Sequence, residues 1–275
     1  MNRRAFLPLL PAAILTGCGN DPQPAGSSES KPAGNSGQRR LIVGMDMTYP
    51  PFEFKNEKGE PDGVDVKIAE ALAAFLGWEL KLEAYAFDGL IQALKVGKVD
   101  VVISAMTATD ERRKSIDFSD PYVFTALAML VGKDSPIKSL EDLKKPGVRI
   151  IAKIGTTGES FTRESLPQAV LSLRDDEGVC VKEVGNGAAD AFIYDQLSIY
   201  NHAKNNADKT RAILTPIREE SWGIGIRKGN DELRGKVNAF IKEFREKGGL
   251  AALADKYLVE ERKLLEGMGA PFIFR

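Results

Sequence analysis

The sequence predicts an α/β protein of two lobes with a ligand-binding cleft between them. Apolar strands alternate with amphipathic helices over residues 41–104 and again over residues 126–195. Alternation of this kind is typical of mostly parallel sheets. In each set a strand ends in a polar loop, Ser104 to Arg112 in the first and Gly155 to Glu159 in the second. Because ligands of open α/β sheets bind beyond the carboxyl ends of strands, these loops predict an interlobe site.

The first set of elements begins with a strand and a proline-rich extended loop, since each proline keeps the preceding residue out of the helical region. An amphipathic helix that stops at glycine, an alternating strand, a second helix and a third strand follow. The corresponding segments are 41–46, 49–54, 64–76, 78–83, 88–97 and 99–104. An arginine-bearing helix then leads to an aromatic turn at Ser119 to Tyr122, where we expect a hinge.

The second set contains four predicted strands and helices with clear start signals. The strands are expected at 126–131, 148–154, 179–184 and 188–194, which places Cys180 in a buried strand as a small apolar residue. Ser139 and Asp142 suit a short capped helix, and Asp195 begins another. The chain then returns in a strand at 221–227 and two helices at 231–247 and 250–258.

Composition excludes several classes of function. The chain has 275 residues and a net charge of −1, so no nucleic-acid-binding surface is expected. With one histidine and two cysteines, neither a metal site nor a Ser-His-Asp triad is expected, and no cofactor is predicted. His202 is interpreted as a solvated residue of a surface helix.

The N-terminus is interpreted as a targeting segment. Two arginines precede the apolar stretch Ala5 to Leu15, which is too short to cross a bilayer because a span needs about 20 apolar residues. Leu15-Thr16-Gly17-Cys18 resembles the lipobox of bacterial lipoproteins, in which the cysteine is acylated. Residues 1–18 are therefore predicted to be a lipoprotein signal peptide with Cys18 as the membrane anchor. Residues 19–38, rich in Pro, Gly, Ser and Asn, are predicted to be a flexible tether.

The two polar loops together suit the carboxylate of an amino acid. A carboxylate is best held by a bidentate guanidinium and by N–H groups at a helix start. Arg112 with Thr107 and Thr109 supplies the first, and Thr156 with Thr157 supplies the second from the other lobe. The alternative interpretation is structural, with Arg112 on a solvated helix face and the threonines as helix caps.

Other polar and aromatic residues suit the rest of such a ligand. Asp195 follows a strand and can accept from an ammonium group, although it can equally cap its helix. Tyr49, Phe52 and Phe87 can sandwich a side chain, or they can belong to the core. The combination across two lobes, rather than any single residue, indicates a zwitterionic ligand.

Residues 87–122 resemble the signature region of the extracellular solute-binding proteins of polar amino acid uptake systems, family 3. Further motifs that resemble this family are YPPFEF (49–54), DGVDV (62–66), GTTGE (155–159) and ADAFIYD (189–195). The resemblance covers about residues 39 to 259. It implies a two-lobed periplasmic-binding-protein fold (type II) with two hinge crossings, lobe 1 at 39–124 and 220–275, and lobe 2 at 125–219.

The resemblance also implies roles for individual residues. Arg112 would hold the ligand α-carboxylate with Thr107 and the Thr157 backbone, and Asp195 would hold the α-ammonium with Ser104 and Thr107. Asp46 and Glu53 would meet the polar end of the ligand side chain. The predicted ligand-binding residues are Asp46, Tyr49, Phe52, Phe87, Ser104, Ala105, Met106, Thr107, Arg112, Thr156, Thr157 and Asp195.

Two positions depart from some members of the family. Several binders of basic amino acids have serine at Ala105, and some have glutamine at Gly158. Both differences are expected to remove polar contacts and to enlarge the pocket, so they leave the choice of ligand open.

The function implied is capture of a polar or basic L-amino acid and its delivery to an ABC permease, without catalysis. We expect a monomer in the periplasm or at the cell surface, anchored through Cys18. The alternatives are a cyclohexadienyl dehydratase-like enzyme on the same scaffold, with Glu53 or Glu159 as acid or base, and the sensor module of a membrane receptor. The absence of an apolar segment long enough to span a bilayer argues against the receptor.

Overall fold

The computed structural model describes residues 39–274. The predicted signal peptide, Cys18 and the tether at 19–38 lie outside these residues, so their interpretation stays a prediction. Within residues 39–274, none of the helices combines the length and the apolar character that a bilayer span requires.

Strands and helices alternate along most of the described chain. The strands are β1 (Arg40–Met45), β2 (Thr48–Tyr49), β3 (Glu53–Lys55), β4 (Pro61–Asp62), β5 (Glu79–Ala84), β6 (Val101–Val102), β7 (Ile116–Gly132), β8 (Arg149–Lys153), β9 (Val170–Arg174), β10 (Ala191–Asp195) and β11 (Thr210–Arg227). The helices are α1 (Val64–Leu76), α2 (Leu90–Lys95), α3 (Asp110–Ser115), α4 (Leu140–Leu143), α5 (Thr157–Ser165), α6 (Glu177–Gly185), α7 (Gln196–Asn205), α8 (Asp231–Glu246), α9 (Gly249–Tyr257) and α10 (Val259–Gly267). A 3₁₀ turn at Phe87–Gly89 leads into α2.

Local capping signals explain several helix ends. Helix α1 stops at Gly77, whose φ of 69° lies in the left-handed region that glycine tolerates. Helix α3 begins after Thr109, whose side chain accepts a hydrogen bond from the Arg112 N–H. Helix α4 has a capping box formed by Ser139 and Asp142. These three helix ends agree with the sequence signals that predicted them.

One sheet carries both halves of the fold, with the strand order β5-β1-β6-β11-β7-β10-β8-β9. Strand β1 pairs in parallel with β5 and β6, and we call these three strands the β1 half. Strand β8 pairs in parallel with β9 and β10, which form the β8 half. The antiparallel strands β7 and β11 lie between the halves and pair with both.

The central strands are longer than the sequence predicted. A turn was expected at Ser119 to Tyr122, but β7 runs through these residues without interruption. Pro121 has no N–H for a ladder, and it lies opposite Gly223, where the register of β7 and β11 shifts. The irregular pairing there accommodates the proline within the strand, so the turn prediction was wrong.

The predicted strand at Val179 to Val184 is also wrong, because these residues belong to helix α6. Its β-branched residues favoured a strand, but Asp176 caps the helix by accepting from the Val179 N–H. Cys180, Val181 and Val184 then lie on one buried face. Burial raises the pKa of the Cys180 thiol to about 12, so this cysteine is a packing residue.

Three further differences concern β9, α10 and His202. Strand β9 and helix α10 were not predicted from the sequence. The His202 side chain is 19% exposed, and its Nε2 lies 3.4 Å from Glu177 Oε1. It was expected to be solvated, but α7 packs against the rest of the fold and turns this residue towards a buried carboxylate.

Candidate ligand-binding site

The carboxyl ends of β1, β6, β8 and β10 meet at a pocket between the two halves of the sheet. The empty space in and at the mouth of this pocket, including the part open to solvent, is about 420 Å³. Residues from the loops after these strands line it together with residues of β7 and β11. The lining residues are Asp46, Tyr49, Glu53, Phe87, Ser104, Ala105, Thr107, Arg112, Leu127, Lys153, Thr156, Thr157, Tyr194, Asp195, Glu220 and Trp222.

The loop after β6 is held in an unusual backbone conformation by a buried carboxylate. Ala105 has a φ of 46°, in the left-handed region that costs an alanine energy. Asp65 Oδ2 accepts from the Ala105 N–H at 2.8 Å and from the Tyr122 hydroxyl at 2.8 Å. These bonds fix the loop, so Ser104 and Thr107 both face the pocket.

Arg112 reaches across from the β1 half to the β8 half. Its Nη1 donates to the Thr107 carbonyl at 2.8 Å, and its Nη2 donates to the Gly155 carbonyl at 2.9 Å. The guanidinium also lies 5.3 Å from the centre of the Phe87 ring. A guanidinium has five N–H donors, so further donors remain for a ligand. Burial lowers the pKa of Arg112 to about 10, and the residue is still charged at neutral pH.

Two threonine hydroxyls near Arg112 donate to the same carboxylate. Thr107 Oγ1 and Thr157 Oγ1 each lie 2.9 Å from Glu220 Oε2. The other oxygen, Glu220 Oε1, accepts from Arg218 Nη2 at 2.8 Å. We call these residues, Arg112, Thr107, Thr157, Arg218 and Glu220, the arginine cluster.

Asp195 follows β10 and combines two roles that the sequence left open. Its Oδ1 accepts from the Leu197 N–H at 3.2 Å and caps α7, and it accepts from Thr125 Oγ1 at 3.4 Å. The side chain also lines the pocket. Burial, with a contribution from the Glu220 charge, raises the pKa of Asp195 to about 7. Its charge therefore changes in the neutral pH range.

A second group of charges lies around Lys153, at the end of β8. Lys153 Nζ forms an ion pair with Asp46 Oδ2. The Lys153 and Asp46 side chains are 2% and 8% exposed. Ser104 Oγ accepts from the Asp46 N–H at 3.0 Å and donates to Glu53 Oε1 at 2.7 Å. We call Lys153, Asp46, Ser104 and Glu53 the lysine cluster.

Glu53 of the lysine cluster lies next to a second buried carboxyl, that of Asp65. Burial and the nearby Asp65 charge raise the pKa of Glu53 well above its usual value. Burial likewise raises the pKa of Asp65 to about 7. Two buried carboxyls side by side disfavour double ionisation, so the pair retains a proton near neutral pH.

Aromatic rings form an apolar wall of the pocket. The Tyr49 ring lies 5.8 Å from that of Tyr194 and 6.1 Å from that of Trp222, both in edge-on geometry. Phe52 stacks on Tyr49 at 5.5 Å and meets Trp222 at 4.8 Å. Phe52 is thus behind the wall rather than part of the pocket lining.

Most of the residues predicted from the sequence converge on the pocket. Phe52 and Met106 do not line it, because both are buried in hydrophobic clusters. The expectation that glycine at position 158 enlarges the pocket was wrong. A Cβ at Gly158 would lie 2.2 Å from the Ile193 carbonyl, so the glycine permits close packing of α5 on β10 and does not enlarge the pocket.

The sequence alone did not indicate several of the lining residues. These are Leu127, Lys153, Tyr194, Glu220 and Trp222. Lys153 carried one usable signal, a single lysine at the end of an apolar strand, next to the loop already selected. Glu220 carried no such signal, since it lies in a run of charged residues that is typical of a solvated segment.

Residues 41–260 match the model of the bacterial extracellular solute-binding proteins, family 3. The chain belongs to this family. The L-cystine-binding protein TcyJ of Escherichia coli K12 is 33% identical over 219 residues, which are 79% of this chain and 82% of TcyJ.

Two solved structures are similar over most of the family 3 region. An ancestral arginine-binding protein bound to arginine is 35% identical, with a TM-score of 0.76 over 80% of this chain and 99% of that chain. The ancestral amino acid-binding protein AncCDT-1, described as a precursor of cyclohexadienyl dehydratase, is 38% identical, with a TM-score of 0.73 over 79% of this chain and 95% of that chain.

Membership of family 3 confirms the predicted two-lobed α/β fold of type II. The same membership indicates that the protein binds a solute in the periplasmic or extracellular space. The relatives named above are described as amino acid-binding proteins, and one of them is also described as a precursor of a dehydratase.

Proposed function

We propose that this protein captures a free L-amino acid in the pocket between the two halves of its sheet. The observation that carries the proposal is the placement of Arg112 and Asp195 on one pocket, with the Thr107 and Thr157 hydroxyls beside them. The guanidinium would pair with the α-carboxylate and Asp195 with the α-ammonium. Since the residues come from both halves, closure of the halves would complete the site.

The lysine cluster bears on the side chain of the ligand. Asp46 is already paired with Lys153, so its charge is compensated within the protein. A lysine or arginine ligand would bring a further cation next to the Lys153 ammonium, at an electrostatic cost. We therefore favour a polar ligand whose far end is neutral or zwitterionic, such as glutamine or cystine, over a basic one.

A binding panel tests this proposal. The mature protein without its lipid would be titrated calorimetrically with glutamine, cystine, histidine, arginine and lysine, after a thermal-shift screen of the common amino acids. We expect saturable binding by a polar amino acid and weaker binding by arginine and lysine. No stabilisation by any amino acid would refute amino acid capture. If arginine binds most tightly, the proposal that Lys153 disfavours basic ligands is refuted, while the proposal of amino acid capture stands.

Delivery to an ABC permease and lipid anchoring complete the proposed role. Anchoring through Cys18 would keep the binding protein near its membrane partner, while residues 19–38 would let it move. In a cell fractionation experiment, Cys18→Ser is expected to shift the protein from the membrane fraction to the soluble fraction. Cys180→Ser is the matched control and should leave it in the membrane fraction. Equal fractionation of both variants would exclude acylation at Cys18.

A dehydratase activity is the second candidate, because Glu53, an acid named as a candidate from the sequence, lines the pocket. Glu53 has a raised pKa, and a protonated carboxyl can act as a general acid. Its Oε1 accepts from Ser104, however, so the group is partly committed to the loop. Incubation with prephenate or arogenate distinguishes amino acid capture from dehydratase activity, and we expect no product. Product formation that is lost in Glu53→Gln would favour the enzyme.

A further inference from the structure

Glu220 is the carboxylate of the arginine cluster. It lies on β11, and its side chain is 4% exposed. Its two oxygens accept hydrogen bonds from the hydroxyls of Thr107 and Thr157 and from the guanidinium of Arg218. The two hydroxyls bond one oxygen of the buried carboxylate and the guanidinium bonds the other, so both oxygens are satisfied.

The same donors are those that an amino acid carboxylate would use. A threonine hydroxyl has a single O–H, so it cannot donate to Glu220 and to a ligand carboxylate at the same time. Two carboxylates that share one set of donors also repel each other in a site with little water. A ligand carboxylate at Arg112 must therefore either displace Glu220 or bind beside its charge.

The negative charge of Glu220 also acts on the other end of a zwitterion. It contributes to the raised pKa of Asp195, and so it favours the neutral form of the group that would hold the ligand ammonium. Its partner Arg218 is 33% exposed and offsets this charge incompletely because water screens an exposed guanidinium. Both effects of Glu220 oppose the binding of a zwitterion.

We propose that Glu220 is an internal competitor that limits the affinity of the site, because it holds the donors of the ligand α-carboxylate. The inference rests on the proposed capture of an amino acid. It makes Glu220 a residue that sets affinity through Thr107 and Thr157. Release of the captured solute is then helped by a group of the protein, since Glu220 can take back the two hydroxyls as the ligand leaves.

Replacement of Glu220 by its neutral isostere tests the sign of this effect. In Glu220→Gln the amide oxygen can still accept from a threonine, but the bond is weaker and the charge is gone. We expect the dissociation constant of the ligand that binds best in the panel to fall about tenfold, which corresponds to about 1.4 kcal/mol of binding free energy. Glu220→Ala removes the acceptor altogether and should tighten binding in the same direction.

Glu219→Gln is the matched control. It makes the same change of charge on the neighbouring residue of β11, whose side chain is exposed. Binding by this variant is expected to match that of the unmodified protein. Circular dichroism and thermal melting without added ligand verify that each variant is folded.

The outcomes separate the two proposals. Weaker binding by Glu220→Gln would mean that Glu220 holds the ligand ammonium, and this would overturn the competitor role. Unchanged binding, or an equal gain in Glu219→Gln, would overturn it as well. If Glu220→Gln does not fold, Glu220→Ala decides by the same criteria. If no amino acid binds to the unmodified protein or to any variant, the proposed function itself fails, and the competitor role fails with it.

Discussion

The two charged clusters of the pocket differ in how firmly their charges are held. In the lysine cluster, Lys153 and Asp46 are 2% and 8% exposed and pair directly. In the arginine cluster, Arg218 is 33% exposed and reaches Glu220 from the pocket margin. Removing one partner of a fully buried pair leaves an uncompensated charge, whereas a pair with one partly exposed partner contributes less. The lysine cluster is thus expected to stabilise the fold, while the hydroxyls of the arginine cluster can change from Glu220 to another acceptor.

This contrast assigns the two clusters different tasks. Under the proposed function the arginine cluster binds and releases the ligand, because its hydroxyl donors can pass from Glu220 to the ligand carboxylate. A group that discriminates among side chains should keep a fixed shape and charge, and the buried lysine cluster does so. The following variants test this division, beginning with the largest expected effect.

Loss of the buried ion pair should have the largest effect on stability. Lys153→Met leaves the Asp46 carboxylate buried and unpaired, so we expect the free energy of unfolding to fall by about 3–5 kcal/mol. Urea unfolding at neutral pH measures it. The double variant Asp46→Asn, Lys153→Met removes both charges and should recover most of the loss. A single-variant loss of less than about 1 kcal/mol would place this pair with ordinary surface pairs.

Loss of Arg112 should have the largest effect on affinity. Arg112→Ala removes the charged donors proposed for the ligand carboxylate, and each charged hydrogen bond contributes about 1.5–3 kcal/mol. Affinity is expected to fall about 100-fold in calorimetric titrations. Arg113→Ala, on the exposed side of the same helix, is the control and should bind normally. Comparable losses in both variants would show that α3 acts through its fold and not through Arg112.

The pH dependence of binding should follow Asp195. Its pKa is raised to about 7, so the carboxylate that would hold an ammonium is protonated at lower pH. Affinity is therefore expected to fall as pH drops below about 7, by up to about tenfold per pH unit. Titrations between pH 5.5 and 8.5 measure this range. Asp195→Asn should bind weakly and without this pH dependence, and a variant with the original profile would assign the titration to another group.

The smallest effect is expected at the pair of Arg218 and Glu220. Arg218→Ala should lower the free energy of unfolding by about 1 kcal/mol, because its guanidinium is 33% exposed and the buried Glu220 keeps the hydroxyl donors of Thr107 and Thr157. The same urea titration as for Lys153→Met gives a direct comparison. A loss as large as that of Lys153→Met would remove the distinction between the two clusters.

Elements with complete local signals were predictable from the sequence. Helix α1 was predicted at its observed bounds, because an apolar stripe and a terminal glycine define it within its own residues. Helix α6 was not, since its β-branched residues favour a strand locally and burial against the rest of the fold decides for the helix. The length of β7 depends on pairing with β11, which no local pattern of β7 contains.

The site divides in the same way. Arg112, Thr157 and Asp195 follow strands in recognisable motifs, and all three line the pocket. Lys153 and Glu220 were missed because their partners are distant in sequence, 107 positions away for Asp46 and 113 for Thr107. A charged residue with such a partner looks like any solvated residue until the fold brings the two together.

The central position of β11 has a consequence for the order in which the protein folds. Strand β6 pairs with β1 on one side and with β11 on the other, and β11 follows the entire β8 half in the sequence. A growing chain therefore leaves β6 as an unpaired edge until the return strand has been made. Non-local closure of this kind is slow, so we expect the β1 half to consolidate last, although its three strands are synthesised first.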